Sequence, residues 1–317
     1  MSRIKTVFLF SGQGSQHAQM GRELFEQNTV FRDSMLELDA LVQWLGGQPV
    51  VEAIYEAAPT RTLDRTLLTH PAIFMVEYSL ARCLISAGVA PDMTSGASLG
   101  SFAAAAVAGF ISVEDAMTAV MHQARTFESC CAPGGMLAIL ASPALFAEPF
   151  LNAHSELAGV NFPAHFVVAG RNDRLAEIEA TLRERQITCQ RLAVSFAFHS
   201  RWIDEAQAPL ESFTRSLCGA RGRLPLVCCA RAEALTQLPH DFFWQVVRRP
   251  IRLHDTISWL ERAGPHRYID VGPGGTQATF VKYGLPAASR STTHTILTRF
   301  GQDQKNLTAL LTMAVQP

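Results

Sequence analysis

The sequence predicts an α/β fold in which a smaller ferredoxin-like unit is inserted into a large α/β domain. The chain has 317 residues, more than a single compact core usually holds, so one large core plus an inserted unit is expected. Its first third alternates short apolar runs, glycine turns and helical periodicity. Its middle reads strand, helix, strand, strand, helix, strand, the order of a ferredoxin-like unit.

Taken in order, "IKTVFLFSGQGSQ" is a buried strand running into a glycine turn, because a β-branched and aromatic run stops at Ser11-Gly12. Parallel sheets keep their active sites at such turns. "THPAIFMVEYSLARCLISAG" reads as a helix with Thr69 as cap, Pro71 in the first turn and Gly88 as its close. "APDMTSGASLG" returns to a strand and turn, and "SFAAAAVAG" is a small-residue helix ending at Gly109. The inserted unit follows: "GGMLAILAS" is a strand, "PALFAEPFLNAHSEL" a helix, "AGVNF" and "HFVVAGR" two strands, "NDRLAEIEATLRERQ" a helix and "TCQRLAVS" a strand. These assignments divide the chain into 1–133 and 197–317 for the large domain and 134–196 for the insertion. The cleft between them is the default site, and the tail after "TRFGQDQKN" is expected to be one last surface helix.

Composition narrows the function. No apolar run approaches the roughly 20 residues of a membrane span, and the first apolar stretch is too short for a signal-peptide core, so a cytoplasmic protein without membrane contact is expected. A net charge of −1 without a basic block argues against nucleic acid as partner. The seven cysteines lack C-x-x-C spacing and read as reduced core residues, with no metal site.

"GASLG" fits G-x-S-x-G, in which glycines permit a sharp strand-to-helix turn that lifts the Ser98 hydroxyl from the sheet edge. Small alanines let the following helix press on the sheet and aim its N-terminus at the serine, so the Leu99 amide is placed to hold a developing oxyanion. A serine nucleophile needs a base. Among ten histidines, His199 in "VSFAFHSRW" stands out, because there the chain crosses back over the cleft.

"FLFSGQGSQ", "GASLGSFAAAAVAG", "NFPAHFVVAG", "VSFAFHS" and "DVGPGG", in this order, resemble the acyltransferases that load acyl carrier proteins, including malonyl-CoA:acyl carrier protein transacylase and polyketide synthase acyltransferase domains. The resemblance covers nearly the whole chain. It implies an α/β-hydrolase-like core with a ferredoxin-like insertion, attack by Ser98 on a thioester carbonyl and proton transfer through His199. It further implies a second oxyanion amide from Gln13 and a histidine oriented by backbone carbonyls near "RRPIRL", with Arg252 assigned that role and His70 and Asn161 supporting the site. The partners implied are acyl carrier protein domains of a polyketide synthase. Their phosphopantetheine arm belongs to the substrate, and no cofactor or metal is expected. A monomer is expected, with a modest basic surface for the acidic carrier drawn from Arg201, Arg248, Arg249 and Arg252.

Departures from the pattern carry the specificity. Members that use malonyl groups carry an arginine on the helix after the nucleophile, and an ungapped reading of "SLGSFAAAAVAGFISVEDAMTAVMHQARTF" puts Gln123 there. Arg125 lies about 200° further round the helix and faces elsewhere. A neutral amide cannot replace a bidentate cation, and a carboxylate left unpaired in a cleft costs several kcal/mol. Ala97 stands where the motif usually has histidine, and Phe196 opens the segment that usually reads H-A-F-H. With Phe198 they form a less polar acyl pocket. Hydrolysis of uncharged acyl groups from carrier proteins, as in the proofreading acyl hydrolases of trans-acyltransferase polyketide pathways, is the first reading, supported also by the stand-alone length. Transfer of uncharged or malonyl units to a carrier protein is the second. An inactive docking module is disfavoured by the joint presence of Gln13, Ser98 and His199, and a plain esterase by "GQGSQ" and the inserted unit.

Overall fold

A computed structural model of the chain describes residues 3–315 apart from 57, 59 and 61. The outermost residues of the expected large domain, 1–2 and 316–317, lie outside the described residues. The strands are β1 Lys5–Phe10, β2 Met93–Gly96, β3 Gly135–Ile139, β4 Glu156–Phe162, β5 His165–Gly170, β6 Cys189–Arg191, β7 Arg221–Cys228, β8 Glu233–Gln237, β9 His266–Asp270 and β10 Thr292–Thr295.

The large sheet runs β10-β9-β1-β2-β7-β8, parallel throughout except for the antiparallel edge strand β8. Its centre is almost dry, with Phe8 and Phe10 fully buried. The small sheet runs β4-β5-β3-β6 with every neighbour antiparallel, which is the ferredoxin-like order read from the sequence. The fold is therefore the expected α/β-hydrolase-like core with a ferredoxin-like insertion. One parallel bridge, Gly159 to Ile251, ties β4 to the segment before the helix Leu253–Glu261. Among the described residues no helix is long and apolar enough to cross a membrane.

Register decides where the chemistry can sit. Phe10 pairs with Gly96 and Leu9 with Asp270, so β1, β2 and β9 end level with one another. The turns that follow them, "SGQGSQ", "ASLG" and "VGPGG", leave one edge of the sheet side by side. Chain order reverses across β1, with β2 on one flank and β9 on the other, and the crevice at such a switch point is where open α/β sheets bind ligands.

The helix Gly100–Val107 is buried along nearly its whole length. An added Cβ at Gly100 would lie 2.4 Å from both the Phe10 and Ser11 carbonyl oxygens, and one at Gly96 would lie 2.4 Å from Ser101 Cα. Backbone atoms cannot yield as side chains do. Gly100→Ala is therefore expected to lose about 3 kcal/mol, read as a depressed melting temperature and soluble yield; unchanged melting would contradict the close approach.

Two local expectations are corrected. The helix read as starting at Thr69 spans Thr66–Ser86, with Arg65 at the N-cap position and no side-chain cap bond. Its additional first turn is held from outside, where the Leu67 amide donates to Glu128, and Thr69 is freed for another role. The cysteines are only partly core: Cys83, Cys131, Cys228 and Cys229 are buried, whereas Cys189 and Cys218 are half-buried and Cys130 is exposed.

Candidate active site

Ser98 sits in the left-handed region at φ 53°, on the turn from β2 into the helix Gly100–Val107. A non-glycine residue there stores roughly 1–2 kcal/mol of strain, which the flanking glycines make tolerable by removing side chains that would collide. His199 is the second strained residue of the site, at φ 62°. Both line one cavity of about 410 Å³ together with Gln13, Ala97, Asn161 and Phe198. The cavity runs between the turns of the large sheet and the face of β3, β4 and β5.

His199 is 2 % exposed. Its Nδ1 lies 2.7 Å from the Arg249 carbonyl oxygen, and a carbonyl only accepts, so Nδ1 carries the proton and Nε2 presents its lone pair. Burial lowers its pKa to about 4, with Arg248 adding to the shift and the Arg249 carbonyl opposing it. The ring is thus neutral near pH 7. If this imidazole is the working base, the acid limb of kcat/KM for a neutral acyl thioester falls near pH 4, because protonation of Nε2 removes the base as pH drops through that value. A limb near the unperturbed 6.5 would exclude it.

The carbonyl that orients His199 belongs to Arg249, not Arg252 as expected. The Arg252 carbonyl already accepts from the Thr256 amide and hydroxyl, opening the helix Leu253–Glu261. Arg249 is presented because its neighbours are pinned: the Ile251 amide donates to Ala158 on β4, and the Arg252 amide to Cys229 beyond β7. Three of the four arginines expected to form a basic surface are engaged by acids. Arg201 pairs with Glu156, Arg248 with Asp204 and Glu156, and Arg252 with Asp255.

The "SGQGSQ" turn is held by several buried hydrogen bonds. Ser11 donates through its amide (2.6 Å) and hydroxyl (2.7 Å) to Glu77, a fully buried carboxyl whose pKa burial pushes well above the usual range. Ser15 Oγ donates to the Gly12 carbonyl, the Gly14 amide to Gln16 Oε1, and Gln16 Nε2 to Leu63 and Ala193. Asp270, at the end of β9, accepts from the Gly272 and Ala278 amides and is raised to about 6 by burial. Among the described residues the amides of Gln13 and Leu99 have no acceptor. Leu99 is the N-cap of the helix Gly100–Val107, so the free amide stands at the positive end of that helix. Two unpaired amides beside a serine are what an oxyanion hole requires.

Gln123 is fully buried and lies outside the large cavity. It faces a second void of about 10 Å³ that it shares with Gln13, His70, Ser98, Leu99 and Phe198. Thr69 accepts from Gln13 Nε2 at 3.1 Å, Gln13 Oε1 is 3.0 Å from His70 Nε2, and His70 Nδ1 is 3.4 Å from Gln123 Nε2. His70 is buried and lowered to about 3 by burial. Asn161 bonds His165 Nδ1 at 3.0 Å on the cavity wall. Arg125 is exposed and donates to Leu45, facing away as expected. Phe196, expected in the acyl pocket, lines neither cavity. It packs behind the site against Phe127 and Phe198, because residues 195–200 bend and turn rather than run as a strand, so positions two apart need not share a face. Glu77 went unread in the sequence, and Thr69 was read only as a helix cap. An acidic residue amid "FMVEYSLA" was the available signal, since a lone carboxylate on an apolar helix is buried for a reason.

Among the described residues no group of three or more His, Cys, Asp or Glu side chains is arranged to hold a metal. The sequence matches the family described as acyl transferase domain over residues 7–316. It is 44% identical over 304 residues to the polyketide biosynthesis acyltransferase homolog BaeD of Bacillus velezensis, covering 95% of this chain and 94% of that protein. The corresponding PksD of Bacillus subtilis is 43% identical over 304 residues, again with 95% and 94% covered. Among solved structures, the acyltransferase domain from the second module of the salinomycin polyketide synthase superposes with a TM-score of 0.85 at 30% identity, covering 97% of this chain and 72% of that one.

Proposed function

The chain belongs to the acyl transferase domain family, and from that premise we propose that it hydrolyses uncharged acyl groups from phosphopantetheinyl thioesters on acyl carrier proteins through an acyl-enzyme at Ser98. Ser98 Oγ bonds to the thioester carbonyl carbon while its proton passes to His199 Nε2. The negative oxygen is held by the Gln13 and Leu99 amides. Collapse breaks the carbon–sulfur bond, and the departing sulfur takes the proton from His199. A water then attacks the ester, gives a proton to His199, and the acid leaves as Ser98 recovers its hydrogen.

The observation that carries the choice of acyl group is Gln123, a neutral and fully buried amide beside Ser98. Among the described residues the sole arginine or lysine lining either cavity is Arg299, which is exposed to solvent. A carboxylate brought to the inner void would meet no cation. Transfer to a carrier-protein thiol is the second reading, favoured by the family itself. The two share the first half-reaction and differ in the second acceptor. The test offers acetyl, butyryl and malonyl carrier-protein thioesters, with and without a second free carrier protein, and measures free acid against transferred acyl. Release of acetate and butyrate with little malonate supports hydrolysis; rapid acyl exchange with negligible free acid overturns it.

A further inference from the structure

The Gln123 side chain leaves one atom unexplained. Its Oε1 is buried and has no hydrogen-bond partner, whereas buried acceptors are normally matched by a donor. The orientation of the amide is fixed by what lies behind it. Gln13 gives its NH₂ to Thr69, so its Oε1 faces His70 and can only accept. His70 Nε2 therefore carries the ring's proton, Nδ1 is an acceptor, and the Gln123 NH₂ turns towards it. Oε1 is left over, on a residue that lines the void of about 10 Å³, room for one water-sized group.

No side-chain donor reaches that void from its own walls, and the Gln13 and Leu99 amides of the residues that line it are assigned to the carbonyl oxygen. Leu99, Phe198 and Val247 contribute apolar side chains, and the Gln13 NH₂ is already engaged. Ser98 also lines the void, but once acylated its Oγ is an ester oxygen without a proton. The remaining donor is the acyl group itself. A substituent on the carbon next to the carbonyl lies close enough to the Ser98 ester to enter a void that Ser98 borders. A hydroxyl fills it and supplies the proton, a methyl fills it and leaves Oε1 unmet, and a carboxylate is too large and offers only acceptors.

Resting on the Ser98 acyl-enzyme proposed above, we infer that Gln123 is a specificity-determining residue for acyl groups bearing a hydroxyl on the carbon adjacent to the thioester carbonyl, with Oε1 accepting that hydroxyl's hydrogen bond. The test compares glycolyl with acetyl, and 2-hydroxypropionyl with propionyl, as small-molecule thioesters, each kcat/KM divided by that thioester's rate with hydroxide to remove intrinsic reactivity. The wild-type protein is expected to favour the hydroxylated member about tenfold. Gln123→Met and Gln123→Leu are expected to abolish that preference. Equal normalised rates in the wild type, or a preference retained in either folded variant, overturn the inference, and the wild-type ratio decides alone if neither variant folds. Failure of the underlying reading looks different: no thioester is turned over and no acyl adduct forms on Ser98.

Discussion

Ser98→Ala is expected to reduce turnover of acetyl and butyryl thioesters at least about a thousandfold and to eliminate the acyl adduct seen by mass spectrometry on the intact protein. Folding is expected to survive, because the backbone at 98 is already left-handed and alanine is no more strained there than serine. The unpaired Gln13 and Leu99 amides remain, so a small residual rate above the uncatalysed reaction is expected. Undiminished turnover would mean that another group attacks the thioester, and the assignment of the cavity as the reaction site would go with it.

His199→Asn is the second large effect. Asparagine tolerates the left-handed backbone found at 199 better than most residues, and its amide can still donate to the Arg249 carbonyl in place of Nδ1. What it lacks is a base at the position of Nε2. The acylation rate is expected to fall about 10²- to 10⁴-fold while the melting temperature moves by no more than a few degrees. Single-turnover measurement of Ser98 acylation reads the step directly. A loss below tenfold would show that the proton leaves Ser98 by another route.

Much of this was legible because it depends on local chain geometry. Gly96 and Gly100 announce the turn at Ser98, and the strand-helix order of the insertion gives the topology of the second sheet. That Ser98 and His199 line one cavity could be read from where the chain must cross the cleft. What stayed hidden depends on contacts between distant segments. Whether Arg249 or Arg252 presents its carbonyl is decided by where the helix Leu253–Glu261 starts and by two amides bonded to β4 and to Cys229 just beyond β7. The chain of contacts from Thr69 through Gln13 and His70 to Gln123 joins three separate elements, and no spacing in one sequence encodes it. Phe196 was misplaced because aromatic character fixes burial but not the side to which a residue turns.

The contact between His199 and the Arg249 carbonyl has a practical corollary. The hydrogen-bond acceptor that keeps the imidazole in its working tautomer is part of the main chain, as are the two amides beside Ser98. An alanine scan is blind to all three: truncating Arg249, Gln13 or Leu99 removes a side chain and leaves the functional atom where it was. Evolutionary drift can therefore rewrite those letters and the walls around them, altering which cargo is accepted, while the engine that cleaves it keeps running.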